Sequence, residues 1–85
     1  MKWKWEMSVR AVANLSKLPN DLQLRIIKKI NFWTDSDIPL SFAERLHNFE
    51  IGSYRFRVGD YRITFDVDGL VIKILKIDHR REVYK

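Results

Sequence analysis

From residue 54 to residue 77 the chain reads YRFRVGDYRITFDVDGLVIKILKI, three largely apolar segments broken twice by a glycine beside an aspartate. Apolar residues alternating with polar ones require strands with one buried face, and two-residue glycine turns join neighbouring antiparallel strands. The stretch therefore folds as a meander, with strands expected over residues 54–58, 61–67 and 70–77. Gly59-Asp60 suits a type II′ turn, in which glycine supplies the positive φ, and Asp68-Gly69 suits a type I′ turn. The first turn also sets a register. Val58 faces Tyr61, Phe56 pairs with Ile63 and Tyr54 with Phe65 on the core side, while Arg57 lies opposite Arg62 and Arg55 opposite Thr64 on the other side. The third strand is apolar at nearly every position, as in a strand buried on both faces or central in its sheet.

The N-terminal half supplies the layer that covers this sheet. Lys2, Lys4 and Glu6 alternate with Trp3, Trp5 and Met7, predicting a strand over residues 2–7. Ser8 is placed to cap a helix running through Val9, Val12, Ala13 and Leu15 to about Lys17. Pro19 and Asp21 mark the start of a second helix, and Leu22, Ile26, Ile30 and Trp33 recur at helical spacing along it. The two helices are expected to form a hairpin with one shared apolar face. Residues 34–39 read as a turn, and the segment PLSFAERLHNF as loop with a short helical turn before Gly52. The resulting fold is α+β, in the order β-α-α-β-β-β: a mostly antiparallel sheet with a two-helix hairpin on one face. Trp3, Trp5 and Trp33 sit on the apolar phase of their elements and read as core rather than as platforms for bases.

A chain of 85 residues makes a single domain, residues 1–85, with a small core. Without cysteine it has no disulfide, thiolate metal site or cysteine nucleophile, and two histidines are too few for a site built mainly from imidazole. No cofactor or metal is expected. The alternating N-terminus is neither a signal peptide nor a membrane span, so a cytoplasmic protein is expected. Sixteen Lys and Arg against eleven Asp and Glu give a net charge of +5, pointing to an anionic partner.

That charge is concentrated in YRFRVGDYR, residues 54–62, where the predicted register puts Arg55, Arg57 and Arg62 on one face. Like charges directly opposite one another cost up to about 1 kcal/mol in a sheet unless an anion lies between them. The anion is either a nearby carboxylate, with Asp66, Glu44 and Glu50 available, or a bound phosphate, which guanidinium forks match well.

The chain closes on DHRREVYK, residues 78–85. KLP between two short helices, the YRFRVGDYR hairpin, an apolar strand and a terminal HRREVY together resemble the RelE/ParE toxin superfamily, in particular its RelE branch of ribosome-dependent mRNA interferases. The resemblance spans nearly the whole chain. It implies a small β-α-α-β-β-β toxin made beside a cognate antitoxin that wraps and silences it. It also implies action at the decoding site of the ribosome, where mRNA is cut without a metal.

Carried over by the resemblance, the family's essential arginine falls on Arg62. A basic residue on the preceding strand falls on Arg55, with Arg57 continuing the row. The arginine after the last strand falls on Arg80, with Arg81 the alternative, and the terminal tyrosine on Tyr84. Arg57, Arg81 and Lys85 then serve RNA binding. A second family lysine has Ser53 in its place, so a lysine base is missing from both positions. Arginine is a poor base, which leaves His79, a residue type suited to proton exchange near neutral pH, or Tyr84 as proton exchanger. Tyr84 also offers a ring for stacking on a base, with packing against Tyr61 as its structural alternative. His47 reads as structural. Arg25, Lys28 and Lys29 form a solvated helix face that is also able to touch RNA phosphates.

Two other functions stay open on these residues. One is a ParE-like poison of DNA gyrase, which works by binding a protein and has no need of an arginine cluster with a terminal tyrosine. The other is a non-catalytic or attenuated RNA-binding homologue, suggested by the missing lysines.

Overall fold

The computed structural model describes residues 2–47 and 52–79. The elements run β1 (Lys4–Met7), α1 (Val9–Ser16), α2 (Asn20–Asp35), a 3-10 turn (Pro39–Phe42), β2 (Glu44–Arg45), β3 (Tyr54–Val58), β4 (Tyr61–Asp68) and β5 (Val71–His79). The strands form one five-stranded sheet in the order β1-β5-β4-β3-β2, antiparallel except where β1 runs parallel to β5. Both helices lie on one side of it, α1 over β5 and β1, and α2 over β3. No described helix is long and apolar enough to cross a membrane.

The β3–β4 register is the one the turn dictates, from Val58↔Tyr61 through Arg57↔Arg62 to Tyr54↔Phe65. Gly59 has φ +58°, and among the described residues none other than glycine has a positive φ, so Asp60 completes a type II′ turn. The second turn differs from expectation. Asp68 pairs with Val71, which leaves Gly69-Leu70 as the two loop residues. Gly69 alone is left-handed, at φ +61°, so this turn too is type II′ and not an Asp68-Gly69 type I′ turn. An I′ turn needs a positive φ at both central positions, which costs Asp68 more than it costs a glycine.

The near-continuous apolar run of β5 has a local cause. Thr64 pairs with Lys76 while Phe65 pairs with Ile74, so Leu75 is an extra residue in the ladder. This bulge shifts the buried phase from Ile72 and Ile74 to Ile77. Helix α1 is fastened at the same place. The Ser8 backbone donates to Ile74 O at 2.8 Å, the Ser8 hydroxyl donates to Leu75 O at 2.7 Å, and Asn14 Oδ1 accepts from Ile77 N at 3.0 Å. Ser8 Oγ also caps the helix by accepting from Ala11 N at 3.0 Å. Because one hydroxyl serves both cap and bulge, Ser8→Ala should cost about 1–2 kcal/mol in chemical denaturation; a loss under about 0.3 kcal/mol would contradict this role.

The core is built from Ile26, Ile30 and Trp33 of α2 against Phe56, Ile63, Phe65, Ile72 and Ile74 of the sheet. Trp33 stacks on Phe56 at 4.3 Å between ring centroids, and Phe56 meets Phe65 at 4.4 Å. Trp3 and Trp5 pack against this cluster half-buried, and Trp5 Nε1 donates to Asn31 Oδ1 at 2.8 Å. The tryptophans are core, as their strand and helix phases require.

Two further expectations are corrected. Helix α1 buries Ala11 and Leu15, whereas Val9, Val12 and Ala13 are exposed. The i, i+4 pair, continued by Leu18, governs the packing, and the valines lie on the outer side. The four-strand order also lacked β2, whose two residues are too few to display any period.

Candidate nucleic-acid interface

Phe56 and Val58 point to the helices, so strand alternation turns Arg55 and Arg57 of β3 to the open face of the sheet. Arg62 and Thr64 of β4 and Lys76 and Asp78 of β5 share that face through the registers Arg57↔Arg62↔Asp78 and Arg55↔Thr64↔Lys76. Arg62 sits at the centre. It is only 8% accessible although it lies on the open side. Lys76 Nζ and Asp78 Oδ2 pair at 3.3 Å beside it.

Opposite Arg55, the edge strand β2 brings in Glu44. Its Oε2 accepts from Arg55 Nη2 at 3.1 Å and from Arg57 Nη2 at 3.5 Å, while Oε1 pairs with Arg57 Nε. The Arg55 hydrogen bond holds the Glu44 carboxyl below its ordinary range; burial opposes it in part, and the Arg57 bond and the two nearby positive charges add to the lowering. Glu44 is therefore ionised at neutral pH. It is one of the three carboxylates considered from sequence, and it compensates Arg57 of the facing pair together with Arg55. Asp66 is engaged elsewhere, accepting from Ser53 N at 2.8 Å, and Glu50 lies outside the described residues.

A second surface lies on α2. Leu24 and Phe32 are 59% and 62% exposed, and with Asp21, Arg25, Lys28 and Lys29 they line a groove along the helix. Lys29 Nζ stands 5.8 Å over the Phe32 ring. The ring meets Phe42 edge-on at 6.3 Å, which extends the apolar band onto the 3-10 turn. Among the described residues no group of His, Cys, Asp and Glu is arranged to hold a metal ion.

Comparison with known proteins bears on both surfaces. Residues 6–84 match the family model described as the ParE toxin of the type II toxin-antitoxin system parDE. The chain belongs to the RelE/ParE toxin superfamily. Toxin RelE3 of Methanocaldococcus jannaschii is 29% identical to this toxin over 79 residues, covering 86% of this chain and 85% of that protein. In the solved archaeal RelE–RelB complex of Pyrococcus horikoshii, one chain superposes with a TM-score of 0.73 at 28% identity, covering 94% of this toxin and 97% of that chain. The RelB–RelE antitoxin–toxin complex of Methanococcus jannaschii gives a TM-score of 0.63 at 25% identity, over 93% and 94% of the two chains. The RelBE2 complex of Mycobacterium tuberculosis shares the fold, with a TM-score of 0.75 at 24% identity over 94% of this toxin and 100% of that chain.

Within the toxin, Arg55, Arg57 and Arg62 come together on the open face. His79 does not join them. It pairs with Tyr61, whose phase is the helix side of the sheet, and the two rings meet edge-on at 5.0 Å. Period-two alternation from Asp78 forces this placement. Arg80, Arg81, Tyr84 and Lys85 lie outside the described residues. His47 is exposed, as are Arg25, Lys28 and Lys29. Glu44 was one of three carboxylates legible from sequence as neutralisers, but nothing in the pattern singled it out, because the strand that delivers it to both β3 arginines spans two residues.

Proposed function

We propose that this toxin is an endoribonuclease that cuts mRNA on the ribosome and so stops translation. The observation that carries the reading is the position of Arg62, buried at the centre of a sheet face that also presents Arg55 and Arg57. In metal-independent RNA cleavage the ribose 2′-OH gives up its proton as its oxygen forms a bond to the adjacent phosphorus, and the 5′-oxygen gains a proton as its bond to phosphorus breaks. The products are a 2′,3′-cyclic phosphate and a 5′-hydroxyl. Negative charge builds on the phosphoryl oxygens on the way, and preorganised guanidinium donors stabilise it. Arg62 and Arg55 take that role, with Arg57 binding the neighbouring backbone.

The proton steps fall to other groups. His79 faces the helix side, so in this reading Tyr84 is the stronger candidate to handle the 2′-OH proton, with Arg80 or Arg81 adding charge nearby. Glu44 in the free toxin is a weak base, because two guanidiniums stabilise its ionised form. Substrate is mRNA held by the ribosome, which makes the cytoplasm the site of action.

The silencing partner is a cognate antitoxin, supported by the RelB-bound state of the similar archaeal toxins. An amphipathic antitoxin segment with acidic residues suits the α2 groove. Its apolar side covers Leu24 and Phe32, and its carboxylates meet Arg25, Lys28 and Lys29.

A gyrase poison is the second reading, favoured by the ParE description of the matching family. An attenuated RNA-binding toxin is a third, favoured by Ser53 where the resemblance expects lysine. Two assays with the purified toxin separate them. Loss of protein synthesis on a supplied mRNA without gyrase-dependent DNA breaks supports the nuclease; gyrase-dependent breaks with intact translation overturn it. RNA binding with neither effect supports the attenuated toxin.

A further inference from the structure

We propose that the Glu44 carboxylate is a built-in stand-in for a phosphodiester, occupying the two-guanidinium site of Arg55 and Arg57 until an RNA phosphate displaces it. The inference rests on the reading of the arginine face as a nucleic-acid surface and adds what fills that surface when RNA is absent. The geometry is that of a bound oxyanion. One carboxylate oxygen takes Arg55 Nη2 at 3.1 Å and Arg57 Nη2 at 3.5 Å, and the other takes Arg57 Nε. Two oxygens shared between two guanidinium forks is also how the non-bridging oxygens of a phosphodiester are gripped.

The occupant is held loosely, Arg57 is as exposed as Glu44, and Arg55 is the firmer of the two guanidiniums. Glu44 belongs to a two-residue strand at the sheet edge, and its side chain is 47% accessible, so water competes for the ion pairs and they contribute little. Arg55 is 19% accessible and lies within the five-stranded sheet. Arg55 Nε is buried and makes no hydrogen bond among the described residues, which leaves the guanidinium with donor capacity that Glu44 does not use. A carboxylate and a phosphate cannot share the two forks without strong repulsion, so RNA binding is an exchange of anions. Glu44 thereby lowers the toxin's affinity for any nucleic-acid backbone and keeps Arg55 and Arg57 compensated in the free chain.

The test measures binding rather than cleavage, so its outcome does not depend on nuclease activity. A fluorescent single-stranded 2′-deoxy oligonucleotide, which has no 2′-OH and cannot be cut by this chemistry, is titrated at fixed salt without ribosomes. Glu44→Gln should bind about three- to tenfold more tightly than the parent, the range set by losing two exposed ion pairs. The gain should shrink when Arg57→Ala is the common background, where Glu44 has only its pair with Arg55 left to release. Glu6→Gln is the charge-matched control. It removes the same charge and also breaks an ion pair, with Lys73 at 3.8 Å, but on the opposite edge strand. It should change affinity by less than about twofold. Equal or weaker binding by Glu44→Gln overturns the proposal. So does an equal gain from Glu6→Gln, or no binding by either protein. Thermal melts confirm that the variants are folded. A toxin that shows the exchange but cuts no mRNA would retain this inference while losing the nuclease reading.

Discussion

Arg62→Ala is expected to lower mRNA cleavage by about 100-fold or more while the chain still folds. Removing one preorganised donor from a site where charge develops typically costs about 2.7–4 kcal/mol of barrier, and Arg62 is the most buried of the open-face cations, where such a donor acts with least screening. Its burial also revises what its sequence context implies for stability. Opposite Arg57 alone, truncation would relieve repulsion; with Asp78 on its other side and only 8% accessibility, truncation also removes a cation facing a carboxylate. A cost of about 1–3 kcal/mol is expected, seen as a lower melting temperature with an unchanged far-ultraviolet spectrum. Arg62→Lys separates charge from geometry, since it keeps the cation and loses the planar fork. It should recover much of the stability and little of the rate. A folded Arg62→Ala toxin cutting at the parental rate would remove Arg62 from the site.

The second large effect concerns the antitoxin. Phe32→Asp should weaken its binding by about 30- to 1000-fold, the loss typical of an aromatic anchor worth 2–4 kcal/mol. The substitution takes away the exposed ring that lines the α2 groove and places a carboxylate beside Arg25, Lys28 and Lys29, the cations proposed to meet acidic antitoxin residues. Phe32 is 62% exposed and touches Phe42 at its edge, so the folded chain should lose less than about 1 kcal/mol. Calorimetric titration with purified antitoxin reads the affinity directly. In cells, the variant toxin should stay toxic in the presence of an antitoxin that silences the parent. Unchanged affinity would show that the antitoxin covers another surface.

The β3–β4 hairpin was legible from sequence because a two-residue glycine turn leaves one register, and one register assigns every side chain to a face. The arginine cluster followed from that register alone. Legibility stopped where structure is decided by something shorter than a period or by a partner far along the chain. Residues 44 and 45 carry no pattern of their own, and only pairing with Tyr54 and Arg55 makes them a strand. Leu75 looks like any other apolar strand residue, and the bulge exists because Ser8 and Asn14 of the α1 region meet the chain there. The α1 core stripe was misread because Val9 and Val12 are more hydrophobic than Ala11, whereas close helix-to-sheet packing over β5 accommodates the small side chain. His79 was grouped with Arg62 because histidine is the residue type suited to proton exchange near neutral pH, without regard to its strand phase. Strand alternation sends its ring to Tyr61 instead.

Cutting of ribosome-bound mRNA by the proposed arginine site is read out by mapping mRNA 5′ ends after incubation with the purified toxin in a reconstituted translation system. New 5′-hydroxyl ends phased with codons are expected. They should be absent when ribosomes are omitted, retained when divalent metal is held at the minimum that keeps ribosomes intact, and lost with Arg62→Ala. Intact mRNA under these conditions, or the same ends produced by a folded Arg62→Ala toxin, would contradict cutting by that site.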